Sequence, residues 1–247
     1  MRRRARRDRV AFRSPWLMRC TMPRLNRAAL GLYLVFGPQD LNASTRASDL
    51  IKQASAGGVS CVQWRDKSAR ARAPLDARLD DVAPLQALAR SLSLPFLIND
   101  DVELAVALKA DGVHLGQDDM PPAQARQRLG QDAIIGWSVG TLDERARLDA
   151  VLQENTRIID YIGVGPAFAT GTKADAGQAL GSAGINAVIA GLTLPIVAIG
   201  GINIGNASLL RDTRIDGIAV VSAIAGSASP KQAAEDLKMT PFGSSAT

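Results

Sequence analysis

The chain has 247 residues, 47% of them hydrophobic and 21% charged, with 22 glycines and 12 prolines. That length and apolar content support a substantial core and exclude a disordered, collagen-like or disulfide-framework chain. The net charge of +5 is unevenly placed. Residues 1–28 carry ten arginines and one acid, Asp8, so the other 219 residues, with 19 basic and 23 acidic side chains, are net −4. The head is Arg-rich and acid-poor like a transit peptide, but it is not Ser-rich. It reads as a disordered appendage or as an extension upstream of Met18 or Met22. Cys20 and Cys61 have no zinc spacing, and a single histidine, His114, excludes mechanisms that need two. No apolar run reaches about 18 residues, so no transmembrane helix is expected and the location is expected to be cytoplasmic.

From Leu32 onward, short apolar runs alternate with amphipathic segments. The runs are LYLVF (32–36), VSCVQW (59–64), PFLIN (95–99), GVHL (112–115), IIGWS (134–138), YIGVG (161–165), PIVAIG (195–200) and GIAVV (217–221). They are too short for helices and rich in Val and Ile, as buried parallel strands are. Helical patterns lie between them at 47–58, 84–93, 101–110, 121–130, 142–153, 182–191, 205–213 and 229–238. Pro at the start and Gly at the end recur. Eight strands alternating with eight helices predict an α/β fold, a single-domain (β/α)8 TIM barrel over 29–240. Residues 1–28 form the basic extension and 241–247 a tail. The open doubly wound sheet is the alternative, but no G-x-G-x-x-G follows the first run.

A barrel of this type places its site at the carboxyl ends of the strands. That rule selects Gln63, Arg65 and Lys67 after the second strand, Asn99 and Asp100 after the third, and Gln117 and Asp119 after the fourth. Ser138 follows the fifth, Thr170, Thr172 and Lys173 the sixth, Gly200 and Gly201 the seventh, and Ser222 the eighth. The three cations Arg65, Lys67 and Lys173 suit a phosphate or diphosphate. In QWRDK (63–67), Gln63, Arg65 and Lys67 alternate, so in extended chain they point one way. Taken singly, Asp100 reads as a helix cap before DVELAV, and Asp118 or Asp119 as one before the helix at Pro121. Taken as a pair at neighbouring strand ends, they suit a Mg2+ shared with substrate phosphates. The Gly/Thr-rich segment GVGPAFATGTK (163–173) can offer amides, hydroxyls and an ammonium to an oxyanion. AIGGIN (198–203) and AVVSAI (219–224) lie where barrels frequently hold a phosphate on backbone amides. His114 and Cys61 read as packed core residues, while Trp64 and Trp137 are either packing or pocket-edge residues.

Several of these motifs in this order, VQWRDK (62–67), LINDDVELAVALKADGVHLGQDDMP (97–121), YIGVGPAFATGTK (161–173), VAIGGI (197–202) and VVSAI (220–224), resemble the thiamine-phosphate synthase family, which includes the thiazole tautomerases. The resemblance runs from about Leu32 to Ile224. It implies a (β/α)8 barrel, a Mg2+ cofactor and two small-molecule substrates. These are 4-amino-2-methyl-5-hydroxymethylpyrimidine diphosphate and a thiazole phosphate, joined to give thiamine monophosphate and pyrophosphate. It implies that Gln63, Arg65, Lys67 and Asn99 hold the pyrimidine diphosphate, with Ser138 and Lys173 as further contacts. It implies Asp100 and Asp119 as metal ligands, Thr170 and Thr172 as thiazole-phosphate contacts, and Gly201, Val221 and Ser222 as the phosphate amide site. Three positions depart from the family. Ser138-Val139-Gly140-Thr141 replaces a His-containing stretch, Trp137 stands for a small aliphatic residue, and GPQD (37–40) replaces a Thr-Asp ending. The missing histidine argues against a tautomerase. A tautomerase-like or other phosphate-ligand isomerase, or a divergent inactive member, is the alternative. Nucleic acid is not the expected partner, and a homo-oligomer stays open.

Overall fold

The computed structural model describes residues 25–42, 44–171 and 177–242. Eight parallel strands close into a barrel in sequence order, with the last pairing the first. They are β1 (Leu32–Phe36), β2 (Cys61–Trp64), β3 (Phe96–Asn99), β4 (Gly112–Leu115), β5 (Ile134–Ser138), β6 (Tyr161–Val164), β7 (Ile196–Ile199) and β8 (Gly217–Val220). The outer ring comprises α1 (Ala47–Ala56), α2 (Leu75–Ser91), α3 (Val102–Leu108), α4 (Pro122–Leu129), α5 (Leu142–Glu154) and α6 (Gly181–Ile189), then α7 (Ser222–Ala225) and α8 (Pro230–Met239) after the last strand. This is the (β/α)8 architecture that the alternating runs predict. Among the described residues no helix is long and apolar enough to cross a membrane.

Alternation within the mainly apolar strands sorts two cores. Leu32, Leu34 and Phe36 of β1 face the helices, in the cluster that also contains Ile98, Trp137 and Ile218. Tyr33 and Val35 face inward with Cys61, Leu97, Tyr161, Val197 and Ala219. A strand buried on both faces keeps no polar alternation, so it reads in sequence as a plain apolar run.

Two helices depart from expectation. α2 begins at Leu75, well before Pro84, and carries that proline inside. Pro84 sits on the exposed face, where water can take the carbonyl its ring leaves unpaired, while Val82, Leu85 and Ala89 hold the other face in the core. The helix expected over 205–213 is only a 3-10 turn, Ala207–Leu210. Its polar side chains bond the backbone instead: Asn206 Nδ2 donates to Gly201 O at 2.8 Å and Thr213 Oγ1 to Leu210 O at 2.5 Å.

The lower rim carries a fourfold clamp. The residue just before each even-numbered strand accepts a hydrogen bond from an amide near the start of the preceding odd one. Ser60 Oγ takes Leu32 N at 3.0 Å, Asp111 takes Phe96 N at 2.9 Å, and Asp160 and Asp216 take Ile135 N and Ile196 N, each at 2.8 Å. The same four residues return their own N–H to the carbonyls of those partners. Arg126, buried, braces Asp160 at 2.6 Å and also donates to the carbonyls of Gly130, Ala133 and Ile158. Arg27 braces Asp216 at 2.7 Å and reaches Thr193 O.

Candidate active site

Because all strands run the same way, their carboxyl ends form one mouth. Gln63 is inward-facing and buried near the end of β2. The strand ends at Trp64, so the alternation argument stops short of Arg65, which is half-buried, and Lys67, which is exposed. Lys67 nevertheless reaches the next strand, where its Nζ lies 2.8 Å from Asp100 Oδ2. Asn99 is the last residue of β3, and Ser138 is the last of β5.

Asp100 does not cap α3. Asp101 does, accepting from Leu104 N at 3.0 Å. Asp100 instead takes φ +61°, a left-handed conformation uncommon outside glycine that turns it out of the helix start. Nor does Asp119 cap α4, which begins after Pro121 with no side-chain cap. Asp119 Oδ2 accepts from Gly116 N at 2.6 Å. With both capping roles removed, the two carboxyls meet. Burial pushes Asp119 up to about 6, and its hydrogen bond with Asp100 adds to the rise. Burial also works to raise Asp100, but its hydrogen bonds with Asp119 and Lys67 outweigh that and hold it below the ordinary carboxylate value. Two crowded carboxyls sharing one ammonium form a pocket that favours another positive charge.

Among the described residues no group of three or more His, Cys, Asp or Glu side chains is arranged as a metal cage. A pair of carboxylates fits Mg2+, which takes its remaining ligands from water and substrate phosphate. Beside the pair lies a cavity of about 600 Å3, lined by Trp64 and Ile98 from the sheet and edged by Lys67, Arg72 and Asp100. It flanks the mouth on the helix side.

Gly200 and Gly201, after β7, take φ +100° and +66°. A Cβ on Gly201 would lie 2.5 Å from Ala169 O, so only glycine lets this turn press against the β6 loop that carries half-buried Thr170. Val221 and Ser222 follow β8 at the same rim. Thr172 and Lys173 lie outside the described residues.

Trp137 faces the helix layer and donates its indole N–H to Gly116 O at 3.1 Å, so its bulk does not enter the mouth. Cys61 packs inside the barrel, as expected. His114 is hydrogen-bonded to Tyr161 and Ser138, each at 2.9 Å. Sequence reasoning missed Tyr33 and Tyr161, which connect His114 to Gln63 through the barrel interior. The available signal was a tyrosine, rather than phenylalanine, inside each of two otherwise apolar runs.

Comparison with known proteins gives the family and the fold. A family model described as thiamine monophosphate synthase matches residues 32–224. A thiamine-phosphate synthase of Desulfitobacterium hafniense is 41% identical over 211 residues, covering 83% of this chain and 94% of that protein. One from Xanthobacter autotrophicus is 46% identical over 209 residues, covering 85% and 94%. A solved thiamine phosphate pyrophosphorylase from Pyrococcus furiosus superposes with a TM-score of 0.71 at 33% identity, over 86% of this chain and 95% of that one. This chain belongs to the thiamine monophosphate synthase family.

Proposed function

We propose that the protein is a thiamine-phosphate synthase working at the barrel mouth. It joins the pyrimidine diphosphate to a thiazole phosphate, releasing pyrophosphate and thiamine monophosphate. Residues 29–240 are the catalytic domain, residues 1–28 an extension, and the setting is the cytoplasm. Gln63, Arg65, Lys67 and Asn99 hold the pyrimidine diphosphate, with Ser138 and Lys173 as further contacts. Asp100 and Asp119 would hold a Mg2+, which when bound supplies positive charge against the leaving pyrophosphate. Thr170 and Thr172, with the turns at Gly201, Val221 and Ser222, anchor the thiazole phosphate.

The chemistry suits these residues. The C–O bond of the pyrimidine methylene breaks, and pyrophosphate leaves with the electron pair. The thiazole nitrogen then forms the new C–N bond. Arg65, Lys67 and Lys173 neutralise charge that grows on the leaving group. The phosphate anchor holds the nucleophile in line. No general base is needed, which accords with a chain holding one histidine. That histidine lies in β4 rather than after β5, where the tautomerase reading requires one.

The observation that carries the reading is the union of Asp100, Asp119 and Lys67 at the ends of β2, β3 and β4. The test is incubation with both phosphorylated substrates and Mg2+, scoring pyrophosphate and thiamine monophosphate. Asp100→Ala and Lys67→Ala should each lose at least about 100-fold in kcat/KM, and chelation should abolish turnover. Full activity in Asp100→Ala would refute the assignment.

A further inference from the structure

Five polar side chains form one hydrogen-bonded chain across the inside of the barrel. Gln63 Nε2 donates to Tyr33 Oη at 2.7 Å, and the Tyr33 and Tyr161 hydroxyls lie 3.1 Å apart. Tyr161 Oη meets His114 Nδ1 at 2.9 Å, and His114 Nε2 meets Ser138 Oγ at 2.9 Å. Both ends are mouth residues, on β2 and β5. The tyrosines between them are fully buried. Space for the rings is cleared by Gly136 and Gly163, where a Cβ would strike Tyr161 or His114.

The direction of the chain follows from counting protons. Burial, first among the causes, pushes both phenols well above their ordinary pKa, so each keeps its single proton. Tyr33 accepts from Gln63, so its own proton goes to Tyr161. Tyr161 then donates to His114 Nδ1. That nitrogen is therefore an acceptor, and the ring proton sits on Nε2 and is given to Ser138. Ser138, already accepting from within, has its own proton left for the mouth.

We infer that Tyr33, Tyr161 and His114 are positioning residues that orient the Ser138 hydroxyl as a donor, so that the mouth selects a hydrogen-bond acceptor there. This rests on the reading of Ser138 as a pyrimidine-diphosphate contact, for which the acceptor is an oxygen of that substrate. A ring held in one tautomer is enough to do this.

The chain's single histidine makes the inference directly measurable. Tag-free protein labelled with 15N-histidine gives one set of ring signals, from His114. The expected result is the Nε2–H tautomer in the wild type. Tyr161→Phe keeps the ring packing but removes the donor to Nδ1, and a mixture with the Nδ1–H form is expected. Tyr33→Phe breaks the chain one link earlier and serves as the second variant if Tyr161→Phe folds poorly. In turnover, Tyr161→Phe should lower kcat/KM for the pyrimidine diphosphate about 5-fold, the effect of one hydrogen bond, and leave the KM for thiazole phosphate unchanged. It should add nothing further in a Ser138→Ala background. An Nδ1–H tautomer in the wild type overturns the inference, as does a Tyr161→Phe effect that persists in full alongside Ser138→Ala. If the wild type makes no thiamine monophosphate, the functional reading fails, while the tautomer measurement still decides the direction of the chain.

Discussion

Replacing Gly163 with alanine would set a Cβ 2.9 Å from His114 Cε1 and 3.3 Å from its Nε2, with no other atom among its nearest contacts. Carbon atoms in ordinary contact stand about 3.5–4.0 Å apart, so the imidazole must retreat by more than half an ångström, on the order of 0.6–1 Å. That motion pulls Nε2 away from Ser138 Oγ, now 2.9 Å off. Overpacking costs about 1–3 kcal/mol and the lost hydrogen bond about 1, so Gly163→Ala should destabilise by roughly 2–3 kcal/mol. Because the clash is with His114 alone, it should nearly vanish in a His114→Ala background, leaving less than about 0.5 kcal/mol in a double-mutant cycle. Gly136→Ala is the control. Its Cβ would lie 2.2 Å from Tyr161 Cζ as well as 2.5 Å from His114 Nδ1, so removing the histidine cannot relieve it. Urea melts of the single and double variants measure all three values. A Gly163→Ala penalty that is the same with and without His114 would refute the packing account.

Three further outcomes follow from the site and the rim. In metal-free protein, Asp119, raised to about 6, is a burden when ionised: the folded state resists losing this proton more than the unfolded chain does. The penalty is absent below the unfolded value of 3.8, grows as pH rises towards 6 and is constant above. Asp119→Asn should therefore gain stability at pH 7.5, by about 1 kcal/mol after allowance for the half-exposed carboxyl, and gain nothing at pH 3.5, read by thermal melts at both pH values. Arg126→Met would take the guanidinium away from Asp160 and from three carbonyls at the lower rim and should cost about 3–5 kcal/mol in chemical denaturation. Burial pushes the Cys61 thiol far above its ordinary value, so in a Cys20→Ser variant a disulfide reagent at pH 8 should label nothing until denaturant is added.

How much of this was legible in the sequence depended on whether the cause was local. The eight strands showed themselves because a strand covered on both faces is predominantly apolar, and the mouth followed from strand direction alone. The carboxyl pair was visible as position but not as contact, since only Asp101 taking over the cap of α3 frees Asp100 to meet Asp119. The early start of α2 was hidden because its first turns, LDARLDD, are polar and Pro84 resembles a start signal. The Tyr33–Tyr161 contact spans 128 residues of chain and leaves no local periodicity. The side taken by Trp137 was available: with Ser138 turned to the mouth, its neighbour on a strand must face the other way.

The ion pair between Arg27 and Asp216 joins residues 189 apart, next to the seam where β8 meets β1. A closed sheet has no margin, yet this one is sealed by joining its earliest strand to its latest. Throughout synthesis, one side of β1 stands open until residues 217–220 emerge, and Arg27 waits beside it for its aspartate. Replacing Arg27 removes the tongue of that buckle and leaves Asp216 without its brace.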